Sequence, residues 1–236
     1  MCQSNWYIKT DAEAVARYAR DIIMNAAEEA IKARNIFKIV LAGGTTPKQV
    51  YRLLANAKGD WHKWQLYLGD ERCLPYEDNE RNSYMIQQTF LNKVGFPDSN
   101  IHFIPAELGA SKAALAYSQV VHFALPFDLV VLGMGEDGHT ASLFPEHEYN
   151  STESVHAVFN APKPPAERVS LSTAVLSQNS TLLRIITGAS KAASIALWQQ
   201  GQTLPISRMS SMGNDIILLD RSAAGEISHN LGSLKK

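Results

Sequence analysis

A histidine set between glycine and threonine, two residues after an aspartate, is the pattern in this chain that points most directly to chemistry. The segment Gly133-Met-Gly-Glu-Asp-Gly-His-Thr-Ala-Ser-Leu-Phe-Pro145 follows the apolar run Phe127–Leu132 and presents Asp137 and His139 at its end. A neutral imidazole near a carboxylate can take a proton from water and return it to a leaving oxygen. An isolated histidine can also be a structural hydrogen-bonder, but a Gly-rich loop at a strand end favours the chemical role. The segment contains a literal GxGxxG, the dinucleotide fingerprint. That fingerprint must open a full crossover helix, whereas here Pro145 and polar sequence as far as Ser154 follow. It reads as a shaped loop.

Three other segments carry candidate site residues. Gly69-Asp-Glu-Arg72 sets two carboxylates beside a guanidinium. Asp70 and Glu71 with Arg72 could position a sugar and stabilise a developing anion; a surface ion pair is the plainer alternative. Cys73 has no arranged base and reads as packing, and Arg81 and Asn82 begin a helix that could face the same cleft. Leu41-Ala-Gly-Gly-Thr-Thr-Pro47 lies between a strand and a helix. Gly43 and Gly44 let the backbone approach a ligand, and the following N–H groups with the hydroxyls of Thr45 and Thr46 make an anion cradle. It lacks the GKS/T ending of a Walker loop, and its plainer reading is a tight turn with Thr46 as helix N-cap. Thr187-Gly-Ala-Ser-Lys191 again joins strand to helix, so Lys191 could set a point charge on a phosphate or simply be an exposed lysine.

Composition narrows the classes. At 236 residues, 45% hydrophobic and 19% charged, the chain is an ordinary globular one with one sizeable core, expected as a single domain over residues 1–236. A formal net charge of -1 gives no cationic field for nucleic acid or anionic lipid, although local Lys and Arg can hold a small anion. Two cysteines, Cys2 and Cys73, make no disulfide framework. The start Met-Cys-Gln-Ser-Asn-Trp lacks a signal pattern and no apolar run approaches a membrane span, so the expected compartment is cytoplasm. The remaining histidines, at 62, 102, 122, 147, 156 and 229, show no metal-binding spacing, and no GxSxG marks a serine hydrolase.

These loops need a rigid frame. The pattern predicts an opening amphipathic helix with a Thr10/Glu13 capping box and an apolar face of Ala14, Ala19, Ile22, Ile23, Ala26, Ala27 and Ala30. Strands then alternate with helices: Phe37–Leu41, a helix opened by Pro47, Trp64–Leu68, a helix over Asn82–Leu91, Ile101–Ile104, a helix over Ser111–Ala124 and Phe127–Leu132. Arg168–Leu171, a short helix near Thr173–Leu176, Leu182–Thr187, a helix over Ser190–Gln199 and Asp215–Leu219 complete the alternation. Near-continuous apolar strands of this kind predict a mainly parallel sheet covered on both faces, with ligands at the strands' carboxyl ends.

Taken in order, GGTTP, GDERC, ERNSYM, GMGEDGHTASLFP and TGASK closely resemble the 6-phosphogluconolactonase family, collinearly from about Leu41 to Lys191. Some members carry Ser where this chain has Thr45. The resemblance implies a three-layer α/β/α Rossmann-like fold on the scaffold of glucosamine-6-phosphate deaminases and ribose-5-phosphate isomerases. It also implies hydrolysis of a small sugar-phosphate lactone, 6-phospho-D-glucono-1,5-lactone, to 6-phosphogluconate without a cofactor. On that reading His139 activates water, Asp137 or Asp70 orients it, and Arg72 steadies the oxyanion. Gly43, Gly44, Thr45, Thr46 and Lys191 hold the phosphate, with Asn82 and Arg168 as further binding candidates. Two rival readings use the same loops: an amino-sugar-phosphate deaminase or aldose–ketose isomerase, and a non-catalytic sugar-phosphate-binding module. The deaminases that the chain resembles carry a Glu five residues after the corresponding His, where this chain has Phe144.

Overall fold

The computed structural model describes residues 4–225; Cys2 and His229 lie outside them. In chain order the elements are β1 (Asn5–Lys9), α1 (Ala12–Arg34), β2 (Phe37–Leu41), α2 (Thr45–Leu54), β3 (Trp64–Leu68) and β4 (Asp70–Arg72). Then come α3 (Asn82–Ile86), which runs through a π-helical stretch Gln87–Leu91 into α4 (Asn92–Val94), β5 (Ile101–His102), α5 (Ala110–Ala124) and β6 (Phe127–Leu132). The last third holds β7 (Val155–Val158), β8 (Arg168–Leu171), α6 (Thr173–Leu176), β9 (Asn179–Ile186), α7 (Ala192–Gln199), β10 (Asn214–Asp220) and α8 (Arg221–Ala224).

Seven strands form one sheet in the order β1-β10-β9-β6-β2-β3-β5, and all its pairings are parallel. Parallel neighbours need crossovers, and right-handed crossovers put α1, α2 and α3 on one face and α5 and α7 on the other. Contacts between α1 and α2, and between α2 and α3, agree with that placement. The fold is therefore the expected three-layer α/β/α arrangement. The middle strands are apolar on both faces, since Leu129–Leu132 of β6 are all buried, and one buried apolar cluster extends through sheet and helices. Among the described residues no helix is long and apolar enough to cross a membrane.

Four local expectations are corrected. β1 precedes the opening helix and pairs with β10 at the sheet edge. The helix itself is capped by Asp11, whose side chain accepts from the Ala14 N–H at 2.8 Å, while Thr10 only donates to Asp11; its buried face includes Val15 and Ala16 and leaves Ala14, Ile22 and Ala26 half-buried. α2 begins at Thr45 with Gly44 as its N-cap, so Pro47 lies inside the first turn and Thr46 is not the cap. Finally, β8 is not a strand of the parallel sheet. It is the centre of a separate antiparallel sheet in the order β4-β8-β7, in which the GDERC segment supplies β4.

Candidate active site

The strand order reverses between β2 and β6: β3 and β5 lie beyond β2, and β9, β10 and β1 lie beyond β6. A crevice at such a switch point is where open α/β sheets bind ligands. A cleft of about 410 Å³ opens there, lined by Gly43 to Thr46 after β2, by His139 after β6 and by Lys191 after β9. Asp70, Arg72, Asn82 and Arg168 enter from the antiparallel sheet side. All the expected site residues line this cleft except Asp137, which stands behind His139.

His139 Nδ1 hydrogen-bonds Asp137 Oδ1, and the His139 backbone N–H donates to the same oxygen at 3.3 Å. The Asp137 pairing is sequence-local, because the glycines on either side of the aspartate let the loop fold back tightly. Gly138 has φ of +81°, and a Cβ at Gly135 would lie 2.0 Å from the imidazole. Burial lowers the His139 pKa below its ordinary 6.5, although the Asp137 carboxylate pulls the other way. Burial works against the ionised Asp137, yet its hydrogen bond to His139 and nearby backbone N–H groups hold it below the usual carboxylate range. The pair is thus a neutral imidazole on an ionised carboxylate. With Nδ1 engaged, Nε2 is the nitrogen left for a substrate or a water.

Asp70 does not orient the imidazole. Its Oδ1 accepts from Asn82 Nδ2 at 3.0 Å and its Oδ2 from the Ser142 hydroxyl at 2.6 Å. It fastens the end of β4 to α3 and to the His139 loop, with a face toward the cleft. Glu71, expected to help position a sugar, is fully buried. Its oxygens accept the N–H groups of Arg72, Asn82 and Ser83 at 2.7–2.9 Å, so it caps α3 rather than meeting a ligand. Arg81 is also withdrawn, donating to Glu107 at 2.9 Å and to the Ile104 carbonyl at 3.0 Å.

Arg72 and Arg168 are register partners across β4 and β8 and both reach the cleft. One Arg72 nitrogen bonds the Glu80 carbonyl, and its buried Nε has no hydrogen-bond partner. Arg168 donates to the carbonyls of Lys163, Pro164 and Pro165 at 2.8–3.2 Å, which ties that loop, between β7 and β8, to the cleft wall.

At the other end, Gly44 takes φ of +104° at the N-cap of α2, a conformation open to glycine. Gly43 has a different reason to be small: a Cβ there would lie 1.9 Å from Asn82 Oδ1, so it admits a side chain of the protein. The Thr46 hydroxyl shares a 2.6 Å hydrogen bond with Thr187, joining the two Gly-rich turns. The first turn of α2, with the backbone N–H groups of Thr45 and Thr46, and Lys191 line this same end of the cleft. Burial lowers the Lys191 pKa, opposed by the carboxylates of Glu136 and Asp137. Sequence reasoning missed Gln49, Thr140, Ala141 and Thr187, which also line the cleft. Gln49 was findable, one helical turn beyond Thr45 and Thr46 on the same face of α2. Burial raises the Cys73 thiol pKa to about 11, in keeping with packing. Among the described residues no group of three or more potential ligands could hold a metal ion.

The family model for glucosamine-6-phosphate isomerases/6-phosphogluconolactonase matches residues 10–218. The chain belongs to that family. Among its curated members, the 6-phosphogluconolactonase of Mycobacterium tuberculosis is 34% identical, over 92% of this chain and 96% of its own. The crystal structure of 6-phosphogluconolactonase from Thermotoga maritima superposes with a TM-score of 0.86 at 26% identity, covering 92% of this chain and 100% of that one. A monomeric glucosamine-6-phosphate deaminase has the same fold, with a TM-score of 0.78 at 20% identity over 93% of this chain and 98% of its own. Family membership by itself thus leaves both lactonase and deaminase chemistry on one scaffold.

Proposed function

We propose that the chain is an enzyme that hydrolyses 6-phospho-D-glucono-1,5-lactone to 6-phospho-D-gluconate, in the oxidative pentose phosphate pathway and in the cytoplasm. The observation that carries this reading is an Asp137-bound His139 on one wall of a cleft whose other end is lined by Gly43 to Thr46 and Lys191. The curated relatives named 6-phosphogluconolactonase support it.

The steps follow from the residues. His139 Nε2 takes a proton from water as the water oxygen bonds to the lactone carbonyl carbon. The oxyanion that forms meets the guanidinium of Arg72, a charge-assisted contact that strengthens as charge develops. Collapse breaks the bond from the carbonyl carbon to the ring oxygen, and the imidazolium returns its proton to that oxygen. Asp137 holds the tautomer and stabilises the imidazolium between the two transfers. The phosphate rests on Gly43 to Thr46 and Lys191, and this sequence of steps uses no cofactor.

The deaminase or isomerase reading needs a second acid beside the histidine. Phe144 occupies that place, fully buried, with its ring centroid 4.8 Å from that of His139. Glu146, the next acid, is exposed and lies beyond Pro145. The test is acid release from the phosphorylated lactone at neutral pH, corrected for spontaneous opening, beside an ammonia assay with glucosamine 6-phosphate. Rapid acid release without ammonia is expected; ammonia release at a matching rate would overturn the reading.

A further inference from the structure

Lys191 and the His139 loop are joined by a side chain that none of the steps above uses. α7 starts directly after Lys191, and Ser194 lies in its first turn, 5% exposed. The Ser194 hydroxyl donates a hydrogen bond to the carbonyl of Glu136. Glu136 immediately precedes Asp137, the partner of His139. The element that presents the phosphate lysine therefore grips the loop that presents the base.

The loop's other supports have a different origin. The Ile206 N–H donates to the Gly138 carbonyl at 3.1 Å, and Leu204 packs so closely that a Cβ on Gly138 would meet it at 2.8 Å. That support is anchored in the sheet: Arg184 of β9 donates to the carbonyls of Ile206 at 3.1 Å and Met209 at 2.7 Å and pairs with Asp215 of β10. Nothing in this anchor faces the cleft. Ser194 is the support that ties the loop to Lys191, while Gly138 stays held from the sheet and Ser142, further along, is held by Asp70 at the cleft.

We propose that Ser194 is a positioning residue through which the substrate's phosphate, once bound at Lys191, sets the loop that carries Asp137 and His139. Binding energy from a part of the substrate remote from the reacting bond then goes into ordering the base, which raises kcat rather than lowering KM. The inference rests on the lactonase reading and deepens it: the phosphate is an activator of the site as well as a handle.

The experiment uses the full chain and two lactones, the phosphorylated substrate and unphosphorylated glucono-1,5-lactone, the latter with and without phosphite dianion. Phosphite is expected to accelerate hydrolysis of the unphosphorylated lactone by the parent. Ser194→Ala is expected to lose that acceleration and to keep the parent's rate on the unphosphorylated lactone alone. On the phosphorylated lactone its kcat should fall roughly 3- to 10-fold, the worth of one hydrogen bond, with KM little changed. Ser194→Thr, which keeps the hydroxyl, should restore both. Equal losses on the two lactones, a phosphite effect undiminished in Ser194→Ala, or no phosphite effect in a parent that turns over the phosphorylated lactone would each overturn the coupling alone. A parent inactive on the phosphorylated lactone would instead overturn the functional reading, and the coupling with it.

Discussion

At the scale of single residues, the decisive quantity is the protonation state of His139. Burial depresses its pKa and Asp137 raises it, and burial prevails. A base must be unprotonated to act, so turnover should rise with pH through a limb lying below the ordinary histidine value of about 6.5. His139→Ala should lose roughly 10²–10⁴-fold in kcat while staying folded. Asp137→Asn removes the interaction that raises the pKa, so its acid limb should move to still lower pH, with a reduced plateau because the tautomer is no longer held. A pH series of kcat/KM for the three proteins decides it. An acid limb that moves upward in Asp137→Asn would reverse the assigned electrostatics. This pair was legible because Asp137 and His139 are two residues apart and every step from motif to geometry is local. The competing idea that Asp70 serves the imidazole was equally open from residue types. Only the three-dimensional course of Ser142 and Asn82, which occupy both Asp70 oxygens, separates the two.

Among the elements, apolar strands at the middle of the sheet were legible and those at its margins were not. β2, β3 and β6 are runs of buried residues that read as strands from composition alone. β1 is half-buried at an edge and has polar ends, so it lacks a continuous apolar run. β4 reads Asp-Glu-Arg, which carries no strand signal at all; it is extended because it pairs with β8 and because Glu71 turns inward to cap α3. That cap makes Glu71 a structural carboxylate lying close to Arg81, with Nε 3.5 Å away and both side chains fully buried. Removing Glu71 takes one of two carboxylates from buried Arg81, the other being Glu107, and leaves three buried or half-buried backbone N–H groups short of acceptors. Glu71→Ala should therefore lower stability by about 3–5 kcal/mol. Urea midpoints of parent and variant measure the loss. A variant as stable as the parent would mean that α3 is held by something other than this carboxylate.

For the whole molecule, the site exists because the chain reverses direction across the sheet. The turns after β2, β6 and β9 are far apart in sequence, yet parallel pairing brings their carboxyl ends to one crevice. Alternation of strands and helices announced that crevice without fixing which loops share it. The expected grouping of Gly43 to Thr46 with Lys191 depended on the long crossovers closing in register. The net charge of -1 provides no long-range field to steer an anion, so on the proposed function the phosphate is held by the α2 turn and Lys191 alone. In that proposal Lys191 would supply a point charge from a partly buried position, where burial lowers the amine's pKa. Removing that charge should be felt by a ligand with a phosphate and ignored by one without. Lys191→Ala should weaken 6-phosphogluconate binding roughly 10- to 150-fold, as for a charge-assisted contact, and leave gluconate binding unchanged. Lys191→Arg should recover part of the loss, since it keeps the charge with a different reach. Calorimetric titration of both ligands against parent and variants reads the difference directly. An equal loss for gluconate would place Lys191 at the sugar or in the structure, and the phosphate end of the cleft would have to be sought elsewhere.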